Sequence, residues 1–69
     1  MEDKQKICDA LLECLKLTRY GMDIAAIKHF QLTESDEEVT IYFKGEGTIT
    51  VNVSMDSGFG MIKDILKKL

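Results

Sequence analysis

The chain has 69 residues, of which 45% are hydrophobic, and a formal net charge of −3. This length predicts a single domain over residues 1–69 with a small core. The acidic balance argues against direct binding to nucleic acid, which depends on clustered Lys and Arg. No apolar run has the length of a signal peptide or a membrane span, so we expect no membrane partner.

The two cysteines, Cys8 and Cys14, both fall in a segment with a helical pattern. Six residues of helix correspond to about 9 Å of rise and about 120° of rotation, whereas a disulfide needs Cα atoms within about 7 Å. The two thiols are therefore predicted to be free. Free thiols indicate a reducing compartment, and we expect a cytoplasmic protein.

The first predicted element is a helix over residues 3–20. Ile7, Leu11 and Leu15 recur at the spacing of one helical face. Asp3 is placed to cap the start of this helix. Gly21 is placed to end it in a left-handed conformation.

The segment 22–33 fits two structures. "MDIAAIKHF", residues 22–30, can form a short helix capped by Asp23, whereas "IKHFQLT" can form a strand. In the strand, Phe30 would face the core, and His29 and Gln31 would lie on the opposite, polar side. Periodicity does not separate the two in so short a run. A strand over 27–33 is favoured, because an isolated two-stranded hairpin is only marginally stable.

Two further strands are predicted over residues 39–44 and 48–54, where apolar and polar residues alternate. A three-residue loop over 45–47 places all their apolar side chains on one face. It also places Gly47 where such loops need a positive φ. The predicted pairs are Phe43–Ile49, Ile41–Val51 and Val39–Val53.

The last predicted element is a helix over residues 58–69, capped by Asp56 or Ser57. The element order α-β-β-β-α predicts an α+β fold. Its sheet is a three-stranded antiparallel meander with both helices packed on one face. The predicted core consists of Ile7, Leu11, Leu15, Phe30, Ile41, Phe43, Ile49, Val51, Ile62, Ile65 and Leu66.

The residues needed for catalysis are scarce in this chain. Its only histidine, His29, is predicted on the sheet face opposite the cysteine-bearing helix, so a Cys–His pair is not expected. A zinc site usually takes four N or S ligands, and the acidic segment lacks the longer pattern of a calcium loop. We expect no enzyme activity, no cofactor and no metal.

The motif "DSGFG" over residues 56–60 offers a minor alternative function. Bare amides and a serine hydroxyl at a helix start can hold an anion, here at Ser57–Gly60. Asp56 would repel that anion, and the phosphate-loop pattern is missing. The glycines are better explained by a tight turn from strand into helix.

The polar face of the predicted sheet carries Tyr42 near its centre. An uncharged hydrogen-bonding surface around a tyrosine suits a protein partner or a second copy of the chain, although an ordinary solvated face has a similar composition. The acidic turn, Thr33–Glu38, is either solvated or a contact for a basic partner. The predicted partner-binding residues are Tyr42, His29, Gln31, Thr40, Thr50 and Asn52 on the sheet and Glu34, Asp36, Glu37 and Glu38 in the acidic turn.

Two classes of function follow from this surface. The first is a non-enzymatic binding module or inhibitor that docks through the polar face and the acidic turn. The second is a structural homodimer, or a subunit of a complex, that uses the same face. The element order, small size and acidic charge resemble those of small accessory proteins of phages and mobile elements, including some anti-CRISPR inhibitors. This resemblance concerns topology and composition, and it assigns no residue.

Overall fold

The computed structural model describes residues 2–69, except the side chain of Tyr20. A three-stranded antiparallel sheet of order β1-β2-β3 packs against two helices, so the predicted α+β class and α-β-β-β-α order are confirmed. The elements are α1 (Lys4–Lys16), a 3₁₀ turn (Arg19–Asp23), β1 (Ile24–Gln31), β2 (Glu37–Phe43), β3 (Thr48–Asn52) and α2 (Gly58–Lys68).

Helix α1 begins as predicted but ends earlier. The Asp3 side chain accepts a hydrogen bond from the Lys6 amide at 3.0 Å and caps the first turn. At the other end, the hydroxyl and the amide of Thr18 both donate to the Leu15 carbonyl, at 2.7 and 2.8 Å, and close the helix. Gly21 does not adopt the predicted left-handed conformation. The chain passes so close to α1 there that a Cβ on Gly21 would overlap the Leu15 carbonyl.

Strand β1 contains an irregularity that decides its orientation. Its pairing with β2 shifts between Ile24 and Ala26, which leaves Ala25 as an extra residue. In a regular strand Ile24 and Ile27 would point to opposite faces, because side chains alternate. With the extra residue, both are buried, at 0% and 1% exposure. The segment 24–31 is therefore a strand, while the predicted strand residues 32 and 33 lie in the following turn.

The inward position of Ile27 reverses the predicted faces of β1. His29 and Gln31 follow Ile27 at alternate positions and lie on the helix-facing side, paired with Val39 and Glu37. Phe30 points away from the helices and is 39% exposed, so it is not a core residue. The bulge brings both Ile24 and Ile27 into the core, and the alternation that continues from Ile27 turns Phe30 to the other side.

The β2–β3 hairpin keeps its predicted faces but not its predicted register. Gly47 has the expected positive φ of 104°, and its carbonyl accepts from the Phe43 amide at 3.3 Å. The loop is therefore Lys44–Glu46, and Ile41 pairs with Ile49 instead of Val51. The shift is an even number of residues, so every apolar side chain stays on the same face.

One apolar cluster lies between the sheet and the helices. Around it, Ile7, Leu11, Leu12, Phe43 and Ile49 are partly buried. Leu66, like Phe30, was predicted in the core but is exposed, because α2 turns inward the face that carries Met61 and the correctly predicted Ile65. The buried members are Cys8, Leu15, Ile24, Ile27, Val39, Ile41, Val51, Val53, Met61 and Ile65.

Candidate functional site

The candidate site is the sheet face that the helices leave uncovered, called here the open face. Directly paired residues of an antiparallel sheet point to the same side, so the pairing defines three rows across the strands. These rows are Ala26–Tyr42–Thr48, Lys28–Thr40–Thr50 and Phe30–Glu38–Asn52. The structure thus brings together four of the six residues predicted for the sheet surface: Tyr42, Thr40, Thr50 and Asn52.

Two aromatic rings stand in the outer rows of the open face. Tyr42 is 36% exposed and Phe30 is 39% exposed. Between them, Thr40 is largely buried by its neighbours, and its hydroxyl lies 3.4 Å from that of Thr50. The face therefore combines a hydrogen-bonding centre with an exposed aromatic side chain in each outer row.

Lys28 and Phe30 also belong to the open face, although the sequence interpretation placed neither there. Both follow from the bulge at Ala25, because the even-numbered residues of β1 that come after it point outward. The sequence does carry a signal for it. The apolar run "IAAI" begins before residue 27, and in a strand two isoleucines three residues apart reach one core only through a bulge.

The acidic turn is ordered by its own hydrogen bonds. The Thr33 hydroxyl donates to Asp36 Oδ2 at 3.1 Å and accepts from the Asp36 amide at 3.0 Å. The Leu32 amide donates to the Asp36 carbonyl at 2.9 Å, and the Gln31 side chain donates to the Thr33 carbonyl. Glu34 and Asp36 are exposed, as predicted, while the next two acids belong to β2 and point to opposite faces.

Glu37 is not a surface charge of the acidic turn. It lies on the helix-facing side, where Oε1 accepts from Lys4 Nζ at 2.7 Å and lies 2.9 Å from His29 Nε2. The Lys4 ammonium first, and His29 second, lower the pKa of the Glu37 carboxyl. His29 is thus a neighbour of Glu37 beneath the sheet and not of Tyr42 on the open face. Neither residue supports the predicted partner contact.

A second acid, Asp56, lies near this ionic group. Its Oδ2 is buried and has no hydrogen-bond partner among the described residues. The Asp56 side chain packs against Gly60 of α2, where a Cβ would lie 3.6 Å from both Cβ and Cγ of Asp56. The neighbouring Asp64 carboxyl and burial raise the pKa of Asp56. A proton on Asp56 would satisfy its buried oxygen by bonding to Asp64.

The two thiols lie in different environments. Cys8 is fully buried, and burial raises its pKa to about 11, so it stays protonated at neutral pH. Cys14 is exposed on α1. A buried protonated thiol packs as a small hydrophobic residue and is a poor nucleophile.

Two side chains cap the start of α2, one from the adjacent Ser57 and one from Glu2 near the beginning of the chain. The Ser57 hydroxyl oxygen accepts from the Gly60 amide at 3.1 Å, and both Glu2 carboxylate oxygens accept from the Gly58 amide, at 3.0 and 3.1 Å. An anion at Ser57–Gly60 would compete with the Glu2 carboxylate for the same amide. This geometry does not favour the minor alternative of an anion site.

Comparisons with protein-family models, with curated proteins and with solved structures each found no match for this chain. Within residues 2–69, no group of three His, Cys, Asp or Glu side chains is arranged to hold a metal ion. Neither helix in the described part of the chain has the length and apolar character needed to cross a bilayer.

Proposed function

We propose that this chain is a non-enzymatic protein-binding module that docks through the open face. The observation that carries the proposal is the exposure of Tyr42 and Phe30 on a sheet face that no described element covers. Aromatic rings bury a large area with little loss of side-chain entropy, and tyrosine is enriched among residues that dominate binding energies. The threonines between the two rings supply hydroxyls for directional contacts.

The acidic end of the face supports a partner with a basic surface. Glu34 and Asp36 project from the turn, and Glu38 occupies the same row as Phe30, next to that turn. Complementary charge steers association and raises its rate more than it raises affinity. A small inhibitor of the phage or mobile-element type would act in this way, by placing its acidic surface on a basic surface of its target.

A homodimer through the open face is the second candidate. Lys28 and Glu38 lie in adjacent rows of this face and carry opposite charges. In an interface with two-fold symmetry the same patch meets itself, so Lys28 of one copy would approach Glu38 of the other. This arrangement gives a self-complementary charge pattern around Thr40.

The experiment is truncation of Tyr42 to Ala, with Phe59→Ala as the matched control. Phe59 is 72% exposed on α2, away from the open face. The partner is isolated by photo-crosslinking through a benzoylphenylalanine at Thr48, and its affinity is then measured by titration calorimetry. We expect Tyr42→Ala to weaken binding by about 1–3 kcal/mol and Phe59→Ala to leave it unchanged.

Sedimentation measurements on the same proteins test the second candidate. A face-to-face dimer should shift toward monomer in Tyr42→Ala but not in Phe59→Ala. If Tyr42→Ala folds normally and binds its partner and itself as the wild type does, the open face is not the docking surface.

A further inference from the structure

The two edges of the sheet differ in the hydrogen bonding of their outward-pointing backbone amides and carbonyls. At the β1 edge, the Gln5 side chain of α1 accepts from the His29 amide at 2.8 Å and donates to the Ile27 carbonyl at 3.1 Å. A side-chain amide thus occupies the positions that a neighbouring strand would take. With the bulge at Ala25, this contact protects the β1 edge against further strand pairing.

The β3 edge has no such contact. The Phe43 amide donates to the Gly47 carbonyl, and the Val53 amide donates to the Glu37 carbonyl. Hydrogen-bonded pairs alternate in antiparallel sheets, so Ile49 and Val51 direct their backbone groups toward β2. The backbone groups of the alternate residues therefore point out of the sheet, and no described group bonds to them. These residues are Thr48, Thr50 and Asn52.

The sequence of β3 also lacks the features that usually prevent edge pairing. "TITVN" contains no charge and no proline, and its pairing with β2 is free of bulges. Natural edge strands are commonly protected by Lys, Pro, bulges or a covering segment. Thr, Ile and Val have high strand propensity, so this edge is a ready template for another strand.

We propose that β3 pairs antiparallel with β3 of a second copy of this chain, across a two-fold axis at Thr50. Thr50 then exchanges two backbone hydrogen bonds with its symmetry mate, and Thr48 pairs with Asn52 on each side. The antiparallel pattern gives about six new hydrogen bonds. The product is a continuous six-stranded sheet, and it joins two open faces into one surface.

A second copy fits this edge because the strand is self-complementary. With the axis at Thr50, the paired side chains are threonine against threonine and threonine against asparagine, and no like charges meet. A charged β3 would repel its own copy in this arrangement. The pairing uses backbone groups alone, so it does not depend on what the open face binds.

The test is Thr50→Pro, with Thr50→Val as its control. Proline removes the outward amide of residue 50 but leaves the bonds between β2 and β3, because edge strands tolerate proline where the amide faces solvent. Valine keeps the amide and the side-chain shape. In sedimentation equilibrium we expect Thr50→Pro to weaken dimerisation by about tenfold or more. Thr50→Val and Tyr42→Ala should both dimerise like the wild type.

Amide hydrogen exchange of the wild-type chain gives a second measurement that needs no variant. The Thr50 amide should exchange slowly in concentrated samples and rapidly in dilute ones. The Val51 amide, bonded within the sheet, should be protected at both concentrations. A monomer at all concentrations, or a dimer in which the Thr50 amide stays unprotected, overturns the proposal. A dimer sensitive to Tyr42→Ala but not to Thr50→Pro would instead place the contact on the open face.

Discussion

Each face of β2 carries one acidic side chain, and the two side chains lie in different environments. On the helix-facing side, Glu37 is largely buried and contacts both Lys4 and His29. On the open face, Glu38 pairs with Phe30 and Asn52 and has no ion-pair partner among the described residues. Adjacent residues of one strand thus have different roles. The first carboxylate ties α1 to the sheet, and the second remains available to an external group.

This difference concerns stability as well as charge. Val39 and Ile41 share the Glu37 side and are fully buried, whereas Tyr42 on the other side is 36% exposed. The side chains on the helix-facing side of β2 should therefore contribute more to the free energy of folding than those on the open face. Substitutions on the open face should affect recognition and leave stability nearly unchanged.

The largest effect is expected for Ile41→Ala. Ile41 has no exposed surface, so its truncation loses transfer free energy and leaves a cavity, at a cost of about 2–4 kcal/mol. That cost is a large fraction of the stability of a small domain. Urea denaturation followed by circular dichroism measures the change. Tyr42→Ala, next to it but on the open face, should cost much less; equal losses would contradict the division between faces.

A smaller effect is expected for Glu37→Gln. The amide cannot replace the charged hydrogen bond to Lys4, and it leaves a half-buried ammonium without its counter-ion. We expect a loss of about 1–3 kcal/mol in the free energy of unfolding at neutral pH. Glu38→Gln is the matched control and should change stability by no more than about 0.5 kcal/mol. Similar values for the two variants would show that the ionic contacts of Glu37 do not stabilise the fold.

The smallest effect on stability is expected for Asp56, and it should depend on pH. The Oδ2 atom of Asp56 is buried without a hydrogen-bond partner among the described residues. The pKa of Asp56 is raised above its ordinary 3.8, so its favourable contribution is complete below that pH and is lost as pH rises through the folded-state value. The lowered pKa of Glu37 acts in the opposite direction. Its contribution is present above the ordinary 4.5 and is lost as pH falls through the folded-state value.

Asp56→Asn should therefore raise stability at neutral pH, by up to about 1 kcal/mol, and the gain should disappear below pH 3.8. Urea midpoints measured from acidic to neutral pH check this dependence. Asp23→Asn, at an exposed acid of the 3₁₀ turn, serves as the control. A gain that is independent of pH, or a loss at neutral pH, would show that Asp56 does not share a proton with Asp64.

Much of the fold could be predicted from local chemistry. The alternation in residues 39–53, the glycine at position 47 and the caps at Asp3 and Ser57 each act within a few residues. Local rules of this kind gave the element order and the faces of the hairpin correctly. They did not give the hairpin register, because a shift by two residues preserves the face of every side chain.

The candidate site was only partly predictable. Tyr42, Thr40, Thr50 and Asn52 lie on the predicted strands with the predicted orientation, because β2 and β3 alternate regularly. For β1, the pattern "HFQL" alternates in a way that favours Phe30 as the inward residue. The orientation was instead fixed by Ile24 and Ile27, which lie upstream and share the core through a bulge.

The sequence by itself determined the element order, the apolar face of the β2–β3 hairpin and the uncharged character of β3, since these depend on residue type and near neighbours. Tertiary structure decided the faces of β1 and the burial of Glu37. Both depend on contacts between segments distant in sequence: Gln5 along the β1 edge, 22 residues from Ile27, and Lys4 on Glu37, 33 residues away. Such contacts form only when the helix docks, and their free energy outweighs the weak preference of a short strand for either face.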